Sequence, residues 1–206
     1  MFRMSHSEQL NVLRDMKNFP NDHSLQLVSN STNLVFCPVG NWLLTRDDIL
    51  SELAMWRHLN ARFFPSQFPF SVDSMRNYIV THSIGMSDRL LFLIFNEAEY
   101  PVGHLGISHT QEGYAEIDNV MRNPNSSNFF MRDALAHLMQ WAELELGVKN
   151  FGLSVMSNNP RAIGLYKSLG FNFSGLAPND HSSPNELSFS DLDKPLLTRM
   201  LRATQA

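Results

Sequence analysis

The chain reads as an α/β domain built on a mixed, mostly antiparallel sheet with helices on both faces. Two observations predict this. Three short apolar runs, residues 90–95, 102–107 and 114–121, follow one another with only tight turns between them, which marks an antiparallel meander. After them comes a long amphipathic helix pattern, then an apolar strand, then a short capped helix, an alternation that packs helices onto a sheet.

The elements follow in chain order. Residues 1–32 are polar with Asn/Ser clusters, and their pattern assigns no structure. Residues 34–44 are apolar and branched enough for one or two strands, interrupted by Pro38 and Gly40. Thr45 reads as an N-cap ahead of Asp47 and Asp48, whose charges suit a helix N-terminus; Ile49, Leu53, Trp56 and Leu59 carry that helix to about residue 62. Residues 63–70 are aromatic, contain Pro65 and Pro69, and read as a loop. Ser71 starts a second helix with Met75, Tyr78 and Ile79 on one side. The meander follows, with a hairpin turn at residues 111–113. Leu135, Leu138, Met139, Ala142 and Leu146 then repeat at helical spacing up to Gly147. A strand over 151–155 and a helix over 160–169 come next. Residues 171–175 and 187–189 read as further strands, and residues 196–202 as a closing helix.

Composition excludes several function classes. The 206 residues carry 16 Lys+Arg against 20 Asp+Glu, a net charge of −4, so no broad cationic surface exists for nucleic acid. A hydrophobic content of 43% excludes a disordered chain. Cys37 alone cannot form an intramolecular disulfide, and in its apolar run it reads as a core residue rather than a nucleophile. No apolar stretch approaches the roughly 18 residues that span a bilayer, and residues 1–20 lack a signal-peptide pattern. The expectation is a cytoplasmic protein with no membrane, nucleic-acid or metal partner. One domain over residues 33–206 follows an N-terminal extension, residues 1–32.

The densest chemical signal spans residues 153–171. Asn159 is a suitable helix N-cap, Pro160 fits the first helical position, and Gly170 supplies a left-handed stop. An ordinary strand–helix unit explains those three. The full order Asn159-x-x-Ala162-x-x-x-Tyr166-x-x-x-Gly170-Phe171 after an apolar strand goes further: it resembles the cofactor-binding motif of the GNAT family of N-acetyltransferases. The preceding elements arrive in that family's order, so the resemblance covers roughly residues 43–175.

That resemblance implies acetyl-CoA lying between two splayed parallel strands, here ending near Met121 and Val155. Carried over by position, Asn159 would hydrogen-bond the pantetheine arm, and Val120, Met121, Val155 and Ala162 would line it. Tyr166 would stand beside the sulfur and protonate the departing thiolate, because a phenol near pKa 10 can serve a thiol near 8.5. The sequence departs from the family at the phosphate loop, where residues 122–131 lack its usual glycines. Phosphate binding then falls to helix N-terminal amides around Met131, to Ser126, Ser127 and Asn128, and to Arg122 or Arg132.

Transfer to an amine needs a base. Alternation puts Glu116 and Asp118 on one face of their strand, so either is a candidate, with His104 as an alternative; the two carboxylates also suit a substrate ammonium. The aromatic loop and the Arg57, His58 and Arg62 before it point to the acceptor, with Arg62, Phe64 and His104 as its contacts. The pattern looks most like the branch acting on nucleotide-linked amino sugars. A protein or peptide N-acetyltransferase and a non-catalytic acyl-CoA-binding domain are the alternatives. Direct transfer without an acyl-enzyme, a small-molecule amine partner and a homodimer complete the expectations.

Overall fold

The computed structural model describes residues 4–20, 25–29, 32–64, 69–126, 130–178 and 196–203. Its strands are β1 (Leu25–Ser29), β2 (Thr32–Pro38), β3 (Leu90–Phe95), β4 (Pro101–Gln111), β5 (Tyr114–Arg122), β6 (Asn150–Met156), β7 (Asn172–Pro178) and β8 (Leu196–Ala203). Five α-helices accompany them: α1 (His6–Asn18), α2 (Asp47–Leu59), α3 (Val72–Ile79), α4 (Met131–Glu145) and α5 (Pro160–Ser168). One sheet results, in the order β1-β2-β3-β4-β5-β6-β8-β7. Every neighbouring pair is antiparallel except β5 and β6. No helix among the described residues is long and apolar enough to cross a membrane.

Alternation along β3 shows how the sheet is covered. Leu90, Phe92 and Ile94 join one buried cluster with Leu13 and Met16 of α1 and Leu138 and Trp141 of α4. Leu91 and Leu93 join a second with Leu50, Leu53 and Trp56 of α2 and Ile79 of α3. A strand buried on both faces needs a continuous apolar run, which Leu-Leu-Phe-Leu-Ile-Phe supplies.

The feature that positions the site is a bulge in β5. Between His104 and Gly106 of β4 the register with β5 shifts by one residue, and Asn119 there has φ +48°. Such a bulge bends its strand and increases the local twist. β5 accordingly pairs with β6 only at Tyr114↔Asn150, Ala115↔Phe151 and Glu116↔Gly152. Beyond Glu116 the two parallel strands diverge, and a cleft opens between them.

Local chemistry matches several expected boundaries. The Ser71 side chain accepts from Ser74 N at 3.0 Å, and Asn159 Oδ1 accepts from Ala162 N at 3.1 Å ahead of Pro160. Gly113, Gly147 and Gly170 all have positive φ at the turns they end. Two boundaries differ. Thr45 does not cap α2: its hydroxyl donates to Trp42 O within a short 3₁₀ turn, and Arg46 takes the cap position with no side-chain bond to the helix amides. Residues 196–203 are not a helix but β8, inserted between β6 and β7 with seven paired positions on β6. Leu196, Leu197, Met200 and Leu201 fit a helical stripe as well as a strand, and the unpaired edge of β6 decided between them. The expected strand at 187–189 lies outside the described residues.

Candidate active site

The cleft between the diverging halves of β5 and β6 has a volume of about 1020 Å³ and is walled on its other sides by α2, α3, α4 and α5. Glu116, Asp118, Val120, Met121, Arg122, Met131, Arg132, Val155, Asn159, Ala162, Tyr166 and Phe64 all line it. Five expected residues sit elsewhere or outside the described residues. Arg62 is exposed and lies over the Phe63 ring at 4.6 Å, away from the cleft. His104 is buried and does not line the cleft either: it lies beneath Trp56, rings parallel at 6.4 Å. Ser126 is folded into its own turn, its hydroxyl bonded to Asn123 O and Val102 O. Ser127 and Asn128 lie outside the described residues.

The motif helix α5 presents two groups. Asn159 spends its Oδ1 on the helix cap, so its Nδ2 is what it has to offer a ligand. Tyr166 is 7% exposed, packs edge-on against Phe171 and points no hydroxyl bond at any described residue. Burial, with a smaller contribution from Asp118, pushes its phenol well above the ordinary value near 10. The hydroxyl is therefore a firm proton holder and a weaker acid than the sequence suggests.

The end of the cleft toward α4 is built without the glycines expected there. α4 begins at Met131, and its cap residue Phe130 gives the first-turn amides no side-chain bond, which suits them to an anion. Arg122 is partly spent: its guanidinium donates to Asn123 O at 3.0 Å and to Ser126 O, stapling the loop that glycines would otherwise shape. Its proton affinity is lowered by burial and then by Arg161, a neighbouring cation on α5. Two guanidiniums on the cleft lining, near enough to feel each other's charge, fit a polyphosphate, which would relieve their repulsion. The site therefore fits coenzyme A: paired arginines and uncapped amides for its phosphates, a splayed strand pair for its arm, and a buried hydroxyl at the far end. Arg161 was not singled out by sequence reasoning, although it stands inside the motif, two residues after the cap.

The carboxylates differ sharply. Asp118 is a salt-bridge partner of Arg89, which donates Nε to it at 2.6 Å and also its terminal nitrogen. Asn119 adds a backbone donor at 2.8 Å and a side-chain donor at 3.3 Å. Those lone pairs are occupied. Glu116 accepts from the Tyr114 hydroxyl at 2.9 Å, at the closed end of the cleft where β5 and β6 still pair. Gly152 makes room for this contact, since a Cβ there would come 2.1 Å from the Tyr114 hydroxyl.

The remaining wall is aromatic and cationic. Arg57, 8% exposed, has its guanidinium 4.2 Å from the Phe64 ring centre and 4.9 Å from that of Tyr78. Tyr78 stacks on His82 at 5.0 Å and 10°, and its hydroxyl donates to Asn119 Oδ1 at 3.0 Å. His104 donates Nδ1–H to Asn119 O at 2.5 Å, and burial pushes its pKa down to about 4. The bulge residue is thus gripped from both α3 and β4. Arg89, His82 and Asn119 escaped sequence reasoning because nothing in their spacing joins them; only the bulge and the turn after α3 do.

Comparison with known proteins places this geometry. Solved structures with the same fold include a probable GNAT acetyltransferase from Chromobacterium violaceum ATCC 12472 (TM-score 0.67, 16% identity, 85% of each chain covered). A second is the spermidine N-acetyltransferase of Vibrio cholerae in complex with CoA and spermine (0.62, 14%, 83% of this chain and 95% of that one). A third is RimL, a ribosomal L7/L12 α-N-protein acetyltransferase in complex with coenzyme A (0.67, 14%, 87% and 98%). No curated protein matches the sequence. The family model described as an acetyltransferase (GNAT) domain matches residues 47–183, well over half of the molecule and every cleft-lining segment but β8, and the chain belongs to that family.

Proposed function

We propose that this acetyl-CoA-dependent N-acetyltransferase acts on the primary amine of a small acceptor bearing an anionic group, as nucleotide-linked amino sugars do. The observation that carries the reading is Arg57, a guanidinium fixed between Phe64 and Tyr78 in the cleft wall. A planar cation framed by aromatic faces suits a phosphate or carboxylate beside a flat ring. The neighbouring spermidine enzyme of V. cholerae is named for a polycation, which needs carboxylates free to meet it. Among the described residues lining this cleft the carboxylates are Asp88, Glu116 and Asp118, and Asp118 is already bridged to Arg89.

When bound, acetyl-CoA supplies an activated acetyl carbonyl and a thiolate leaving group. Arg122 and Arg161, with the first-turn amides of α4, hold its phosphates, and Asn159 Nδ2 donates to its arm. Tyr166 donates its hydroxyl proton toward the sulfur. Arg57 and Phe64 hold the acceptor's anionic part so that its amine lies at the bulge. Proximity of two bound reactants, rather than an acyl-enzyme, then does most of the work.

Thiol release from acetyl-CoA tests the reading with three acceptors: a UDP-linked amino sugar, spermidine, and a peptide with a free N-terminus. The highest kcat/KM is expected for the UDP-linked amino sugar, with Arg57→Gln raising its KM by roughly tenfold or more, the loss of one charge-assisted contact. A preference for spermidine, or a peptide amine turned over fastest, overturns it.

A further inference from the structure

We propose that His82 is the general base of the transfer, its Nε2 taking the proton of the acceptor's ammonium. The inference rests on the N-acetyltransferase activity and on the placement of His82 in the cleft wall, in the wide π-type turn Val80–Ile84 that continues α3.

The hydrogen bonds assign the ring's proton. Thr81 has one hydroxyl hydrogen, and it donates it to Asn77 O at 2.8 Å. At its 2.6 Å contact with His82 Nδ1, the Thr81 oxygen therefore accepts. Nδ1 carries the hydrogen, and Nε2 keeps the lone pair that a base needs. The ring is held flat against Tyr78, whose hydroxyl is tied to Asn119 at the bulge, so its position is fixed relative to β5. Arg57 of α2 and Arg89, just ahead of β3, face it with positive charge; Arg89 also donates to the His82 carbonyl and bridges to Asp118 of β5. Partial burial comes first among the causes, then these two cations, and together they hold the imidazole below its ordinary 6.5 against a weaker pull from the Tyr78 carbonyl. It is neutral and ready to accept a proton at neutral pH.

The rivals are each otherwise occupied. Asp118 is bound by Arg89 and Asn119, His104 lies outside the cleft with Nδ1 on Asn119 O, and Glu116 sits at the closed end holding Tyr114. His82 is exposed at the rim, where the proton it takes passes on to solvent. The step balances. His82 removes one proton from the ammonium, the freed lone pair forms the N–C bond to the acetyl carbon, and the C–S bond breaks. The sulfur leaves with the Tyr166 proton, the second amine proton restores Tyr166, and His82 releases its own to water.

Ring 15N spectra of the enzyme alone, with His82 assigned by its disappearance in His82→Gln, are expected to show the Nδ1–H tautomer and a pKa below 6.5. Thr81→Val should shift the population toward Nε2–H. With acetyl-CoA and whichever of the three amines releases thiol, His82→Gln should lower kcat/KM by about 10²-fold or more. The acidic limb at the wild-type His82 pKa should vanish, acetyl-CoA affinity should stay unchanged, and added imidazole should partly rescue His82→Ala. A resting Nε2–H tautomer, or an acidic limb that survives in His82→Gln, overturns the assignment. Silence from all three amines would overturn the acceptor reading instead, while the spectra would still decide whether His82 has the tautomer this role requires.

Discussion

Burial gives Tyr166 a proton that is hard to lose. With its phenol pushed above the ordinary range, the residue stays neutral at any working pH, as the proposed donor to the leaving sulfur must. Tyr166→Phe should lower turnover by roughly 10²-fold or more, the usual weight of a positioned proton donor. Acetyl-CoA affinity by calorimetry should barely move, because the ring and its packing on Phe171 remain; equal loss of both would remove the acid role. His104 makes a second prediction, this time about stability. It is neutral in the fold down to about pH 4 but charges near 6.5 once unfolded. Between those values the unfolded chain binds the extra proton, so stability rises with pH across that window and is lost as pH falls from 6.5 to 4. That gap corresponds to ~3 kcal/mol. Urea midpoints should show this dependence in the wild type and lack it in His104→Gln. The Asn159 cap and the place of Tyr166 on the helix it starts were legible in the sequence because both are local. The fate of Asp118 was not, because it depends on Arg89, 29 residues away in the chain.

At the scale of elements, the site is made by a strand that bends and a helix that is left uncapped. The bulge at Asn119 carries a φ that an L-residue adopts at a cost of about 1–2 kcal/mol, less for asparagine, and its side chain is tied to Tyr78. Asn119→Ala should therefore lower stability by ~1–2 kcal/mol in urea unfolding. The same change should cut kcat/KM through a loosened α3 wall, whereas Asn119→Gly should recover stability better than activity. The uncapped start of α4 and the Arg122–Arg161 pair make a parallel case for the cofactor. Arg161→Gln should weaken coenzyme A binding about tenfold, by the loss of one charge-assisted contact, with the difference shrinking at high salt. Most elements were legible because hydrophobic period and capping chemistry agree within each of them. β8 was not: its apolar spacing suits helix and strand alike, and only the open edge of β6, more than forty residues earlier, selects the strand. The cleft's opening was hidden for a related reason, since a one-residue slip between β4 and β5 leaves no mark in composition.

For the molecule as a whole, the two ends of the described chain support the cleft from opposite directions. β8 completes the sheet behind β6, and Leu197 reaches the cleft wall. α1, from a segment whose sequence assigned it no structure, seals the other side: Leu13 and Met16 are buried in the main core, and Gln9 Nε2 donates to Leu146 O at 2.6 Å where α4 ends. The end of α1 also reaches the cleft wall. Lys17, only 7% exposed, donates Nζ to Met86 O and to Ile84 O at 3.5 Å, in the segment that carries His82 on one side and Asp88 and Arg89 on the other. Burying an ammonium there costs stability, and its pKa is pushed down to about 8. The sign follows from linkage: between pH 8 and 10.5 the unfolded chain holds a proton the folded one has released, so stability rises with pH in that window. Lys17→Met keeps the buried stem and removes both the charge and the donor. Its urea midpoint should lose the rise above pH 8. Freed from Lys17, the turn at residues 84–86 should hold the acceptor less well, raising KM for the amine several-fold, while coenzyme A affinity, which the proposal places on α4 and α5, should stay constant. A Lys17→Met enzyme with unchanged amine KM would mean that α1 stabilises the core without steadying the site.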